Sequence, residues 1–236
     1  MSNIDSMTPL SSTPWRTRPR EAMPIVAIAA LMIATRAPAA GIAATVTDDR
    51  GQPVAHAVVI AMPVDGNVRL PTNPPREIVD QVKQEFEPKV KAIVVGTPVI
   101  FPNKDKIRHH VYSFSPAKRF EVPLYAGVPA QPVVFDKAGV VVLGCNIHDW
   151  MVGYVYVSES PYFGTTGEDG TVVIEDLPPR AYAVRVWHPQ SDVAEEATKK
   201  TVDLAKVKQA EVAWTLTLKP EQKVRRAPAA GHAAHY

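Results

Sequence analysis

Residues 144–157 (GCNIHDWMVGYVYV) bring together three side chains that bind soft metal ions. Cys145 is the only cysteine of the chain, His148 follows three residues later, and Met151 three residues after that. Taken singly, such residues are more often a small buried hydrophobe, a hydrogen-bonded imidazole and core filler. Placed where one predicted strand ends and the next begins, they would lie together at one pole of a sheet. We therefore expect a metal site that still lacks one nitrogen donor.

A second segment, residues 101–114 (FPNKDKIRHHVYSF), can supply that nitrogen, because His109 stands where a loop becomes a strand. Two imidazoles, one thiolate and a weak thioether form the donor set of a blue-copper electron-transfer site. Zinc is disfavoured because structural zinc sites take four Cys or His ligands. Calcium and magnesium prefer oxygen ligands, which this set does not contain.

Two spaced motifs carry a resemblance to a known family. They are Asn103-x-Asp105-x-x-x-His109-x-Val111 and Gly139-(x)₅-Cys145-x-x-His148-x-x-Met151-x-Gly153-x-Val155-x-Val157. In this order they resemble the cupredoxins, and the Cys-x-x-His-x-x-Met spacing is that of amicyanin. The chain is also similar to exported plastocyanin-like proteins labelled as methylamine-utilisation proteins. Residues 77–158 are the part that the resemblance covers.

The resemblance implies one blue (type 1) copper ion per chain, held by His109, Cys145 and His148 with Met151 on the axis. His109 fits the family spacing better than His110 does. It further implies an electron carrier, not an enzyme, whose redox partner protein docks near His148. Two departures stand out, since His110 occupies a position where the family often has Asn, and Gly144 one where plastocyanin has Tyr.

Other functions stay open at the level of sequence. The same ligands would serve a periplasmic copper-binding protein for copper delivery or resistance that shuttles no electrons. A third possibility is an interaction module in which the metal site is incidental. The sequence offers no nucleophile–base pair, phosphate-binding loop or supported carboxylate pair, which disfavours catalysis.

The first forty residues have the pattern of a secretory signal peptide. Three arginines (Arg16, Arg18 and Arg20) precede an apolar run over residues 22–34, and small residues follow at 37–40. The run is short for a bilayer span, so export to the periplasm is predicted, with a membrane-anchoring N-terminus as the alternative. Without residues 1–40 the chain has 22 basic and 22 acidic side chains. Such a balance gives no reason to expect nucleic-acid binding or a membrane surface.

The remaining sequence predicts an all-β protein, because short apolar segments alternate with turn residues. Two stretches could depart from this, a short helix over 78–86 and a helical or loop insertion over 192–208. The predicted strands cover residues 44–48, 54–62, 90–95, 98–101, 109–114, 133–135, 140–143, 153–157, 171–174, 182–187 and 212–218.

Two separated segments resemble the halves of a transthyretin-like, carboxypeptidase-regulatory-like sandwich. The first segment is residues 46–59. Its continuation, with Leu177-Pro178-Pro179 before Tyr182, follows about a hundred residues later in the chain than it does in such domains. Long insertions at loop tips are tolerated because loop-closure entropy grows slowly. We therefore expect a Greek-key cupredoxin sandwich (77–158) inserted into a smaller β-sandwich (41–66 and 162–219), with a disordered tail at 220–236. Two tandem domains are the alternative.

Overall fold

The structure, a computed structural model, describes residues 40–220. The predicted all-β fold class is confirmed, since the described helical structure is one 3₁₀ turn at Glu195–Thr198. The strands are β1 (Gly41–Asp48), β2 (Val58–Pro63), β3 (Glu77–Ile78), β4 (Asp80–Val82), β5 (Glu85–Glu87), β6 (Val90–Val94), β7 (Thr97–Ile100), β8 (His109–Ser115), β9 (Lys118–Tyr125), β10 (Val133–Phe135), β11 (Gly139–Gly144), β12 (Val152–Ser158), β13 (Phe163–Thr165), β14 (Thr171–Ile174), β15 (Ala181–Trp187), β16 (Lys200–Asp203) and β17 (Gln209–Leu216).

Strands from the two ends of the described chain pair with one another, and we call β1, β2 and β13–β17 the outer strand group. They form one sheet in the order β14-β1-β17 and another in the order β13-β2-β15-β16. Alternating side chains of β1 and β15 point into a shared apolar core that includes Ile42, Val46, Val184 and Trp214. Period-two alternation is the pattern of a strand with one buried face.

The strands between them in the chain, β3–β12, form the inner strand group. Its largest sheet has the order β6-β12-β11-β8-β9, and a smaller one has the order β10-β7-β3. A second apolar core lies within this group and contains Phe101, Phe135, Leu143 and Val155. The predicted domain limits at 66, 77, 158 and 162 are not tested by these pairings and stay predictions.

The sequence prediction missed β9, which lies at the edge of the five-stranded sheet. Its segment, KRFEVPLY, contains Pro123, and a proline cannot donate a ladder hydrogen bond. Proline is nevertheless compatible with an edge strand, where one side of the backbone has no partner. β9 pairs with β8 along most of its length, so it supports the strand that carries His109.

A third, smaller cluster of buried side chains joins the two strand groups. Val58 and Ile60 of β2 pack there with Val90 of β6 and Tyr156 of β12. The Trp187 ring lies 5.5 Å from the Tyr156 ring, measured between centroids. Burial of such side chains contributes about 1.5–3 kcal/mol each, so the contact between the groups is an apolar one of appreciable strength.

The helix predicted over residues 78–86 is wrong. This segment forms the β4–β5 hairpin, whose turn residues Lys83 and Gln84 both have positive φ. Residues 192–208, predicted as a helical or loop insertion, contain the 3₁₀ turn and β16. Residues 1–39 of the predicted signal peptide (1–40) and residues 221–236 of the predicted tail (220–236) lie outside the described residues. Within 40–220, no helix is long and apolar enough to cross a membrane.

Candidate metal centre

The connection between β11 and β12 carries three of the four predicted ligands. The two strands pair antiparallel from Gly139↔Val157 to Gly144↔Val152, so the intervening residues 145–151 form the loop at the end of this hairpin. Cys145 follows the last residue of β11 and is 3% exposed within the inner core. The backbone N–H of Met151 donates to the His148 carbonyl at 2.9 Å, which closes the loop before β12 begins.

His109 enters the same place from the neighbouring strand. β8 lies beside β11, with Gly144 opposite Tyr112, so the first residue of β8 reaches the level of the loop. Nδ1 of His109 lies 3.9 Å from the Cys145 sulfur, and Nδ1 of His148 lies 3.8 Å from it. One donor atom from each of the three residues lies within 4.8 Å of the other two. The structure therefore brings together three of the predicted site residues.

Asp105 holds the buried His109 imidazole from its far side. The Asp105 carboxylate lies 2.8 Å from Nε2 of His109, whose side chain is fully buried. The same carboxylate accepts the backbone N–H groups of Lys83 (2.7 Å) and Gln84 (2.8 Å) in the β4–β5 turn. With Nε2 bonded to a carboxylate, Nδ1 is the nitrogen left to face Cys145.

The charge of Asp105 is stabilised by these contacts. Burial opposes ionisation, but the Gln84 N–H, the His109 ring and the Lys83 N–H together hold the pKa of Asp105 below its usual value. An ionised carboxylate behind an imidazole fixes the orientation of the ring and increases its basicity, as such groups do behind metal-binding histidines. Sequence reasoning included Asp105 in a motif but gave it no role, because its partners lie on a distant hairpin.

Asn103 shapes the loop that leads into β8. Its amide nitrogen donates to the carbonyls of Ile107 (2.8 Å) and Tyr125 (2.9 Å), while its side-chain oxygen accepts the N–H of Asp105 (2.9 Å). Asn103 is 5% exposed, so these bonds form largely out of contact with water. Buried amides with every group satisfied fix local geometry strongly, and here they fix Asp105 with respect to His109.

His148 lies at the boundary between the site and solvent. Partial burial, together with the nearby His109 ring, lowers the pKa of His148 and favours the neutral imidazole that a metal requires. The His148 ring is 4.9 Å from the His109 ring on one side and 5.1 Å from the Trp150 ring on the other. Its surroundings are more open, since the preceding residue, Ile147, is 45% exposed.

Met151 is 1% exposed and belongs to the same apolar cluster as Cys145. The structure thus places the fourth predicted residue at the end of the ligand loop and within the core. Its thioether would be the weak fourth donor of a blue-copper set.

The neighbouring histidine, His110, turns away from the cluster. Its Nε2 lies 2.9 Å from Glu121 on β9, and its ring lies 5.4 Å from that of Tyr112. Successive strand residues point to opposite faces, so only one of the two adjacent histidines can face the core. Here that residue is His109.

Tyr112 also explains why position 144 is a glycine. A Cβ at Gly144 would lie 2.8 Å from the Tyr112 ring, closer than packed atoms allow. The ring of a neighbouring strand therefore lies against the backbone just before Cys145. Sequence reasoning noted that a tyrosine was lacking at position 144 but could not place Tyr112 beside it.

A buried polar pair lies behind His109, and sequence reasoning missed it. Gln81 is fully buried, and its amide nitrogen donates to the Phe101 carbonyl and to the hydroxyl of Tyr125. Burial is the main reason that the pKa of Tyr125 is raised to about 12, and Cys145 adds to it. Tyr125 stands opposite His109 on β9. These groups form a buried polar support behind His109, in which the Gln81 amide nitrogen is bonded and its side-chain oxygen has no hydrogen-bond partner among the described residues.

The distances between the donor atoms of the three residues test whether one metal ion can bind to all of them. Nitrogen and sulfur ligands bind such metals at about 2.0–2.3 Å, so two donors of one ion lie roughly 3.3–4 Å apart. The two sulfur–nitrogen separations, 3.8 and 3.9 Å, lie in this range. Two nitrogens, one buried sulfur and a nearby thioether form a soft set, which suits copper better than magnesium or calcium. The residues present therefore fit a copper ion.

Comparison with known proteins adds partial likenesses. No family model matches the chain, and no curated protein does. Among solved structures, a reduced mutant of amicyanin is 24% identical over 35% of this chain and 82% of its own, with a TM-score of 0.32. A purple cupredoxin from Nitrosopumilus maritimus is 27% identical over 36% of this chain and 100% of its own, with a TM-score of 0.31.

A copper-containing nitrite reductase from Thermus scotoductus is also similar, at 27% identity over 49% of this chain and 28% of its own, with a TM-score of 0.35. All three scores are low, so these likenesses do not establish a family for the chain. What the candidate site can do rests on the chain's own residues.

Proposed function

We propose that this protein binds one copper ion through His109, Cys145 and His148, with Met151 as a weaker thioether donor, and carries single electrons between redox partners. The observation that supports this best is the convergence of the three donor atoms within 4.8 Å at a site where the sulfur is buried. Copper bound there would supply a one-electron couple. The sequence motifs that resemble cupredoxins point the same way.

The protein's own groups suit such a couple because they are held in place before any metal arrives. Asp105 orients His109, Asn103 orients Asp105, and the core encloses Cys145. A donor set that cannot relax toward the preference of either oxidation state keeps the rearrangement between them small. Burial also protects the solitary thiol from the oxidation that an exported protein would face.

The partner is proposed to dock around His148. Ile147 (45% exposed) and Val152 (37% exposed) flank this part of the loop and give it an apolar surface. Small apolar contacts suit redox encounters, which must form and dissolve quickly. The proposal also includes export to the periplasm, which is based on the leader pattern of residues 1–40. It further includes the domain limits predicted from the sequence.

The test is a visible spectrum of the protein lacking residues 1–40, titrated with copper(II). The proposal expects an intense blue colour that saturates at one copper per chain, disappears on reduction and returns on oxidation. Cys145→Ser should remove the colour, because the charge-transfer absorption requires the thiolate. His110→Ala is the matched control, since His110 faces Glu121, and it should keep the colour. Saturation with no thiolate-dependent band would contradict the proposal.

Copper delivery or resistance is a second candidate, favoured by the exposed surroundings of His148, since an open ligand can exchange metal with a partner. Tight copper(I) binding together with a colourless copper(II) form would support it. Reversible redox cycling without loss of metal would count against it.

A further inference from the structure

The β4–β5 hairpin is a two-stranded sheet of its own, and neither of its strands pairs with another strand of residues 40–220. An isolated hairpin is at best marginally stable in water. Its position therefore depends on contacts with neighbouring segments. Three such contacts attach it to the two parts of the chain that carry the candidate metal ligands.

The first contact is made by Gln81 of β4. Its backbone N–H donates to the Pro102 carbonyl at 2.8 Å, and its own carbonyl accepts the N–H of Lys104 at 2.9 Å. The side-chain nitrogen donates to the Phe101 carbonyl at 3.0 Å. β4 is therefore bonded along the segment that leads into β8, the strand whose first residue is a candidate ligand.

The second contact is made by the turn of the hairpin. The Asp105 carboxylate accepts the backbone N–H groups of Lys83 and Gln84, and it also lies 2.8 Å from Nε2 of His109. One carboxylate thus joins the turn to the buried imidazole. A movement of the turn would move the carboxylate that orients this ring.

The third contact reaches the segment that carries the other ligands. Phe86 of β5 stands opposite Gln81, so the two side chains lie on the same face of the hairpin. Phe86 is 2% exposed and lies in the same buried cluster as Cys145 and Met151. It packs against the backbone of Gly153 in β12, where a Cβ would lie 2.8 Å from the Phe86 Cβ and 3.0 Å from its ring.

Given the proposed copper site, on which this inference rests, we propose that Phe86 is a positioning residue for the copper ligands. It holds the hairpin between the segment that supports His109 and the strand that follows the 145–151 loop. The hairpin in turn keeps the Asp105 carboxylate at a fixed distance from β12, and so keeps the His109 ring at a fixed distance from the cysteine sulfur. Without Phe86, the turn stays bonded to Asp105 but is free to move away from β12.

The same contacts let metal binding affect the hairpin, because a coupling between two sites acts in both directions. When Nδ1 of His109 is bound to a metal, the ring is restrained and holds the Asp105 carboxylate on its Nε2. Binding should therefore slow the hydrogen exchange of the Lys83 and Gln84 amides, although neither residue belongs to the donor set.

The first test uses the full-length protein without metal and follows amide hydrogen exchange by NMR. The probes are the N–H groups of Lys83 and Gln84, and the amides of the outer strand group serve as the reference. Phe86→Ala should accelerate exchange at both probes at least several-fold, because opening of the turn no longer has to break the contact with β12. Phe86→Leu keeps most of this contact and should restore most of the protection.

Two further variants separate this role from a general loss of stability. Gly153→Ala adds one methyl group to β12 and should accelerate exchange at the turn, because Phe86 has to move away from it. Phe135→Ala is the matched control, since Phe135 is a buried ring of the same core on β10. It should leave the exchange of the turn unchanged relative to the reference amides.

The second test uses the copper-loaded protein. Phe86→Ala should weaken copper binding in competition with a chelator and change the visible and electron paramagnetic resonance spectra of the copper(II) form. Phe135→Ala should leave both spectra unaltered. Loading with copper(I), which is diamagnetic, should slow exchange at Lys83 and Gln84 in the unaltered protein but not in Phe86→Ala.

Two results would overturn the proposal: equal turn exchange in Phe86→Ala and Phe135→Ala, or copper spectra that Phe86→Ala leaves unchanged. A protein that binds no copper would instead contradict the proposed function. The exchange test without metal would then still decide whether Phe86 holds the turn, so the two failures are distinguishable.

Discussion

The two imidazoles of the candidate site are held in very different ways. His109 is fully buried, begins a strand, and is bonded to a carboxylate that two backbone N–H groups and a buried amide fix in turn. His148 lies in a seven-residue loop, half-buried, with ring contacts to His109 and Trp150 and one sulfur neighbour. One imidazole is therefore part of the fold, and the other lies on its surface.

In the proposed electron-transfer function this difference would separate two tasks. The buried side would set the ligand geometry without metal, and the exposed side would give a partner access to the site. Loops tolerate change better than buried networks do, so the exposed side can vary while the geometry persists.

Removing each imidazole should give the largest contrast. His109→Ala leaves a cavity and an unpaired Asp105, and we expect it to lower the free energy of unfolding of the metal-free protein by about 3–5 kcal/mol. His148→Ala should lower it by about 1 kcal/mol or less, because the ring is half-buried. Urea denaturation measures both values. Equal losses would show that the two sides do not differ as described.

The loop amide is the next element to test. Asn103→Ala removes the donor to two part-buried carbonyls and the acceptor of the Asp105 N–H, so we expect the free energy of unfolding to fall by about 2–3 kcal/mol. Asn146→Ala is the matched control in the exposed Cys145 loop and should change stability by less than about 0.5 kcal/mol. A stable Asn103→Ala variant would mean that Asp105 is held by the Lys83–Gln84 turn alone.

His188 can be compared with His109, because it is a buried histidine for which no carboxylate partner is found among the described residues. The pKa of His188 is lowered to about 4, mainly by burial, whereas in the unfolded chain it is about 6.5. The unfolded state binds the extra proton between these values, so stability should fall by about 2 kcal/mol as the pH drops from about 6.5 to 4. The free energy of unfolding, measured by denaturation across this range, should depend less steeply on pH in His188→Gln than in the unaltered protein. The same slope in both would exclude His188 as the cause.

The smallest effect should come from the outward imidazole–carboxylate pair. Glu121 is largely exposed, so Glu121→Gln should change stability by about 0.5 kcal/mol or less and leave copper affinity unaltered. Asp105→Asn makes the equivalent change on the inward side and should weaken copper binding about 10–100-fold. Competition with a copper chelator measures both affinities. A comparable loss of copper affinity in the two variants would contradict the role of Asp105 in orienting His109.

The types of the metal-donor residues and their order could be predicted from the sequence. The contacts that hold these residues in place could not. Cys145, His148 and Met151 are close in the chain, so their spacing alone predicts a loop between strands, which β11 and β12 confirm. The Lys83–Gln84 turn contacts Asp105 from more than twenty positions away. No local pattern encodes such a contact, and the support of His109 therefore required the structure.

The wrong helix over residues 78–86 has a related cause. A tight turn with two positive φ values usually contains Gly or Asn, whereas here Lys83 and Gln84 adopt it without either. The Asp105 carboxylate binds both of their N–H groups and so stabilises a backbone that these residues disfavour alone. A distant side chain has overridden the local propensity.

The pairing of β1 has a consequence for how this protein is assembled in time. Its neighbours are β14 and β17, so the first strand of the described residues must wait for partners that are synthesised well over a hundred residues later. Closing so distant a contact is slow because chain entropy must be lost first. Strands that are close in the chain, such as β8 with β9 and β11 with β12, face a smaller entropic cost and can pair first.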